Sequence, residues 1–201
     1  MDILKNKSTL VFAALFLMMA ATRSHHFSSA LHLPDASLAV FFLAGFFIKR
    51  LLALPILLIT AGTIDYLSIT YGNSSGWCVS SAYWFLIPTY ASLWFGGRWF
   101  KNHLERSHEK NNNLTTNLLN TIVLFVTAWL STTVAFIISN GSFYTISGRY
   151  SEPHWAEYIE RFGMYYPPYL SSAFTYIIAI AVLYVGVKYV NSKSSTEAIE
   201  Q

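Results

Sequence analysis

The sequence predicts an all-α integral membrane protein with six transmembrane helices and both termini in the cytoplasm. Three observations carry that expectation. Hydrophobic residues fill 54% of the 201 positions and charged residues only 11%, where a soluble domain carries roughly 25% charged residues. Such a chain must lie mostly in or against lipid. The apolar residues also fall into six runs separated by polar segments. Six spans put both termini on one side, and ten of the thirteen Lys and Arg residues then share that side, leaving only Arg23, Arg149 and Arg161 on the other. The positive-inside rule makes the crowded side cytoplasmic. The net charge of +3 therefore reads as topology, not as nucleic-acid binding.

The first run, 8–22 (STLVFAALFLMMAAT), follows Lys5 and Lys7. A basic start, an apolar stretch and Ala20-Ala21 also fit a cleavable signal peptide. More membrane-type sequence follows, so the run is expected to remain as the first helix. The second span, 33–48, opens with Pro34 and Asp35, residue types suited to a helix's first turn, and ends at Lys49-Arg50. The third, 51–71, contains Pro55, Gly62 and the acidic Asp65. A polar turn holding Cys78 leads to the fourth span, 79–97, and a connector rich in Asn, His, Lys and Glu leads to the fifth, 114–139. The sixth is 169–190, after a long outer loop.

Within that loop, residues 153–163 place Trp155, Tyr158, Ile159 and Phe162 at helical spacing, with Glu157, Glu160 and Arg161 elsewhere on the wheel. Ser151 is a candidate cap and Pro153 suits a first turn, which predicts a short amphipathic helix lying in the interface. Aromatic anchoring is its simpler role, and a lid over an outward-facing pocket the sharper one. The chain reads as a single domain, 1–201. It shows no internal repeat of the kind an inverted-repeat transporter carries.

This topology sends several polar residues to the outer side. His25 and His26 follow the first span, and Arg149 lies in the outer loop. Asp65 is 14 residues into the third span, about 21 Å from its cytoplasmic end at ~1.5 Å per residue. A carboxylate inside a span costs about 2.5–3.5 kcal/mol on insertion scales and so needs a partner or a wet cavity; a Tyr hydroxyl, an Arg or a ligand would each serve. Cys78 is the only cysteine, so it forms neither an internal disulfide nor, by itself, a structural zinc site. At the start of a helix its thiolate would be favoured by the helix N-terminus. Five residues separate it from Tyr83, about 140° on a helical wheel, so the two share a pocket only if Cys78 sits at or before the helix start. A thiolate there is a soft ligand for a transition metal. One thiol is enough for a metal that brings its own macrocycle.

The combination resembles the BtuM family, small solitary S-component-like proteins for vitamin B12 (cobalamin) in Gram-negative inner membranes. The resemblance rests on His26, on Asp65 in Thr63-Ile64-Asp65-Tyr66, on Cys78 and Tyr83 in Trp77-Cys78-Val79-Ser80-Ser81-Ala82-Tyr83, and on Arg149. With the size and the six-span plan it covers essentially the whole chain. It implies the S-component fold of energy-coupling-factor transporters, six helices around a cavity facing the periplasm, with cobalamin as substrate and ligand. It also implies that Cys78 ligates the cobalt and promotes decyanation of cyanocobalamin, while His26, Asp65, Tyr83 and Arg149 line or support the site. A nearby acid, Asp65 or Tyr83, would protonate departing cyanide.

One departure bears on partners. S-components that dock on a coupling subunit carry Ala-x-x-x-Ala in the first helix, and no pair among Ala13, Ala14, Ala20 and Ala21 has that spacing. This favours a solitary protein without a dedicated ATPase module, and leaves docking on an energy-coupling module open. The chain also lacks a P-loop motif. Two other readings stand beside the first: a haem-handling membrane protein using His25 or His26, and a structural membrane subunit with an inert Cys78.

Overall fold

The computed structural model describes residues 2–23, 33–72, 76, 79–110 and 114–197. His25, His26 and Cys78 lie outside the described residues. The regular structure is all helical, with no strand among the described residues. The helices are α1 (Asp2–Arg23), α2 (Ser37–Phe47), α3 (Ala53–Tyr71), α4 (Leu86–Lys110), α5 (Leu114–Ile146) and α6 (Trp155–Glu197), with a 3-10 helix at Ser81–Phe85 leading into α4.

Among the described residues, three helices are long and apolar enough to cross a membrane: α3, α5 over Thr115–Ile146, and α6 over Trp155–Val187. Their apolar side chains point outward in large number, among them Ile59, Leu118, Leu130, Val182 and Leu183. Water would not tolerate so much exposed hydrocarbon, whereas lipid does. Among the others, α1 and α2 are apolar but shorter, with the apolar part of α1 at Ser8–Arg23.

The core is organised around α2. Every residue from Ser37 to Gly45 is buried, and an 11-residue helix spans only about 16 Å. A short helix sunk among others must have its terminal N–H and C=O groups satisfied from outside. At the N-terminus, Asp35 Oδ1 accepts from Ser37 N (2.9 Å) and Thr22 Oγ1 of α1 accepts from Ala36 N (3.1 Å). At the C-terminus, the Arg98 guanidinium of α4 donates to the carbonyls of Ile48 and Lys49. Packing against α4 is backbone-close: Cβ atoms at Gly45 and Gly97 would overlap the Trp94 and Phe42 carbonyl oxygens. Phe41 stacks on Tyr90 with ring centres 4.1 Å apart.

Several boundaries differ from the sequence reading. α4 begins at Leu86 and runs on through the polar connector to Lys110, where Lys, Leu, Glu and Arg are good helix formers, and α5 reaches Ile146. The outer amphipathic segment and the sixth span form one continuous helix, α6, which contains Pro167 and Pro168. In it the expected apolar stripe divides. Phe162 packs edge-on against Phe136 of α5 at 5.0 Å, while Trp155 and Ile159 face outward.

Candidate functional site

α3 buries one narrow stripe, Ala53, Leu57 and Ala61, each four residues apart. The next position on that stripe is Asp65, so the helix itself turns the carboxylate inward. It meets Arg23, the last residue of α1. Arg23 Nε donates to Asp65 Oδ1 at 2.6 Å and Nη2 to Oδ2 at 2.7 Å. This is the side-on, two-point geometry that only a guanidinium provides. Nη1 donates to Ser37 Oγ (2.8 Å) and to Tyr90 OH (2.7 Å), and lies 3.6 Å from Asp35 Oδ2. Tyr83 OH donates to Asp65 Oδ2 at 2.8 Å. Arg23 is 9% exposed and Asp65 25%, so the pair is buried at one side and wet at the other.

Tyr83 is delivered by the 3-10 helix. Ser80 caps it by accepting from Ala82 N, and Ser81 Oγ donates to the carbonyl of Ile146 at the end of α5 (2.6 Å). This ties the segment to α5 and turns Tyr83 toward α3, where Gly62 leaves space beside its hydroxyl.

A cavity of about 640 Å³ opens at this end of the bundle, bordered by Arg23, Asp35, Asp65 and Tyr83. Its apolar wall includes Val79, the residue that follows Cys78, together with Leu86, Phe136 and Phe143. Asn140 of α5 and Tyr169 of α6 also line it. The volume lies within the roughly 300–1,000 Å³ of small-molecule sites, and a mostly apolar lining with a few convergent polar groups is their usual make-up. No group of three or more His, Cys, Asp or Glu able to hold a metal ion occurs among the described residues, and both carboxylates at the cavity already face Arg23.

Of the residues singled out from sequence, Asp65 and Tyr83 are brought into direct contact at the cavity wall. Arg149 is exposed on the connection between α5 and α6, where its N–H donates to Ser147 Oγ, and it is not among the cavity-lining residues. His26 and Cys78 fall outside the described residues. Sequence reasoning missed Arg23, Tyr90, Ser37, Asn140 and Tyr169. For Arg23 a signal existed: an arginine ending an apolar helix, at the same end of the bundle as an intramembrane aspartate that needs a partner. No family model and no curated protein matches the chain.

Proposed function

We propose that this chain captures cobalamin and carries it across a bacterial inner membrane. In this reading all six helices serve as spans of an S-component-like bundle, the termini are cytoplasmic and the cavity faces the periplasm. The Cys78 thiolate is the axial cobalt ligand. The observation that carries the proposal is the cavity itself: an apolar pocket, bordered by the buried Arg23–Asp65–Tyr83 constellation, whose wall includes the covalent neighbour of the only thiol. Val79 on that wall directly follows Cys78 in the sequence. The corrin would sit against the apolar wall, with the bulk of the ligand projecting from the open mouth.

A corrin fills four equatorial positions of cobalt, so one protein thiolate completes the set. Its electron donation weakens the bond to the ligand opposite. Cyanide then leaves with the bonding electron pair and takes up a proton, and cobalt keeps its oxidation state. Asp65 and Tyr83, hydrogen-bonded to each other at the cavity wall, are the groups that would supply that proton.

The test is absorbance of purified protein mixed with cyanocobalamin, for wild type and Cys78→Ala. Wild type should shift the corrin bands and the variant should not. Identical spectra would remove the thiolate from the proposal, and a haem spectrum in the extracted pigment would replace cobalamin with the haem reading. No chromophore, no binding and slow alkylation of Cys78 would leave a structural subunit. Labelling of Cys78 by a membrane-impermeant reagent in intact spheroplasts tests the outward orientation.

A further inference from the structure

The charges at the cavity do not cancel. Among the described residues that line it, Arg23 is the one cation, while Asp35 and Asp65 are both carboxylates. Arg23 is spent chiefly on Asp65, which takes its Nε and Nη2. Both hydrogens of Nη1 go to hydroxyls, Ser37 Oγ at 2.8 Å and Tyr90 OH at 2.7 Å. Asp35 Oδ2 lies 3.6 Å from Nη1, close enough for attraction, but that nitrogen has no hydrogen left to give it.

The carboxylate oxygens are therefore unequal. Asp65 Oδ1 accepts from Arg23, and its Oδ2 accepts from Arg23 and Tyr83. Asp35 Oδ1 accepts from Ser37 N at 2.9 Å and from Ser37 Oγ at 2.6 Å, which ties the side chain to the start of α2. Asp35 Oδ2 accepts no hydrogen bond from any described residue. The Asp35 side chain is 49% exposed and that of Arg23 only 9%. A ligand reaching the polar end of the cavity thus meets an open carboxylate, with the guanidinium buried and its donors taken.

We infer that Asp35 is a specificity determinant: at its corner the cavity takes N–H donors and refuses anions. A carboxylate on a mostly apolar, concave wall repels a second carboxylate, and the low-dielectric lining makes that repulsion stronger than in water. An amide N–H or an ammonium instead gives Oδ2 the hydrogen bond it lacks, charge-assisted on the acceptor side. The guanidinium does not reverse the preference, because its donors already face Asp65, Ser37 and Tyr90. For a corrinoid, where the inference rests on the cobalamin reading, this selects amide arms over carboxylate arms.

The test compares cyanocobalamin with its b-, d- and e-monocarboxylic acids, in each of which one carboxamide is replaced by a carboxylate. Binding is measured to detergent-solubilised wild type and Asp35→Asn, which keeps an acceptor oxygen for Ser37 and removes the charge. Wild type should bind at least one acid about tenfold more weakly than cyanocobalamin, and Asp35→Asn should close most of that gap. Equal affinities in wild type, or a gap that Asp35→Asn leaves unchanged, overturn the inference. If wild type binds none of these corrinoids, the cobalamin reading fails on its own. Thiol chemistry then decides the charge preference without any corrinoid. Thiols introduced by Ser68→Cys or Ser139→Cys, both on the cavity wall, are placed in a Cys78→Ser background. Each is treated with trimethylammonioethyl and with sulfonatoethyl methanethiosulfonate, a cation and an anion of similar size. Adding Asp35→Asn should lower the cation-to-anion rate ratio about tenfold, and an unchanged ratio at both positions overturns the inference.

Discussion

Arg23 and Asp65 meet side-on across two helices, with Nε 2.6 Å from Oδ1 and Nη2 2.7 Å from Oδ2. The guanidinium has two further acceptors, Ser37 Oγ and Tyr90 OH, so α1, α2, α3 and α4 are all joined through one side chain. Removing only one partner strands a charge. Arg23→Leu should therefore lower stability by about 3 kcal/mol, at the low end for a broken buried pair because Asp65 still meets water at the cavity. The double variant Arg23→Leu/Asp65→Leu should recover most of that loss. Unfolding midpoints of wild type, Arg23→Leu, Asp65→Leu and the double variant in one detergent close the cycle. A double variant as unstable as the sum of its parts would mean the pair is not coupled.

Tyr83 and Asp65 divide the expected acid role. Tyr83→Phe keeps the ring and removes the hydroxyl that donates to Asp65 Oδ2. Cyanide release from bound cyanocobalamin should slow by about a hundredfold, the lower range for loss of a positioned proton donor, with affinity changed far less. Stopped-flow absorbance of the decyanation step, set beside equilibrium binding, separates the two. Equal losses in both would make Tyr83 a binding residue only.

Glycine at two crossing points of α2 and α4 is a matter of space. A Cβ at Gly45 would strike the Trp94 carbonyl, and one at Gly97 the Phe42 carbonyl; both obstacles are backbone and cannot swing aside. Gly45→Ala and Gly97→Ala should each abolish the folded, monodisperse protein in detergent, since close backbone approach of helices depends on small residues at the contact. Gly186→Ala meets open space and should be neutral, apart from a slight gain in helix propensity. Size-exclusion profiles of the three variants check this.

Composition and apolar runs made the helical, lipid-facing character legible, because burial in lipid leaves few alternatives to a helix. The inward turn of Asp65 was legible in its cost, which requires a partner. That the partner is Arg23 was signalled only by its place at the end of an apolar helix; the pairing itself depends on how α1 lies against α3, a tertiary fact. Asn140 and Tyr169 were hidden for another reason. In a chain with thirteen tyrosines, which polar side chains line the cavity is visible only once every neighbour is placed. The centrality of α2 was equally unreadable: its sequence predicts an apolar helix, but not one capped from outside by Thr22 and Arg98.

Thr22 offers the cleanest check on that capping. Its Oγ1 donates to the Met18 carbonyl at 2.9 Å and accepts from Ala36 N at 3.1 Å, both inside the bundle. Thr22→Val is nearly the same shape and removes only the oxygen. It leaves the buried Ala36 N–H without a partner and should lower stability by about 1–3 kcal/mol. Thr22→Ser keeps the oxygen and should cost less, only the burial of one methyl, about 1 kcal/mol. Hydrogen exchange at Ala36 supplies the site-specific reading: protection should fall in Thr22→Val and persist in Thr22→Ser. Protection unchanged in both would mean that the start of α2 is held by the Asp35 turn alone. Thr22 would then act only through its place on the cavity wall, beside Arg23.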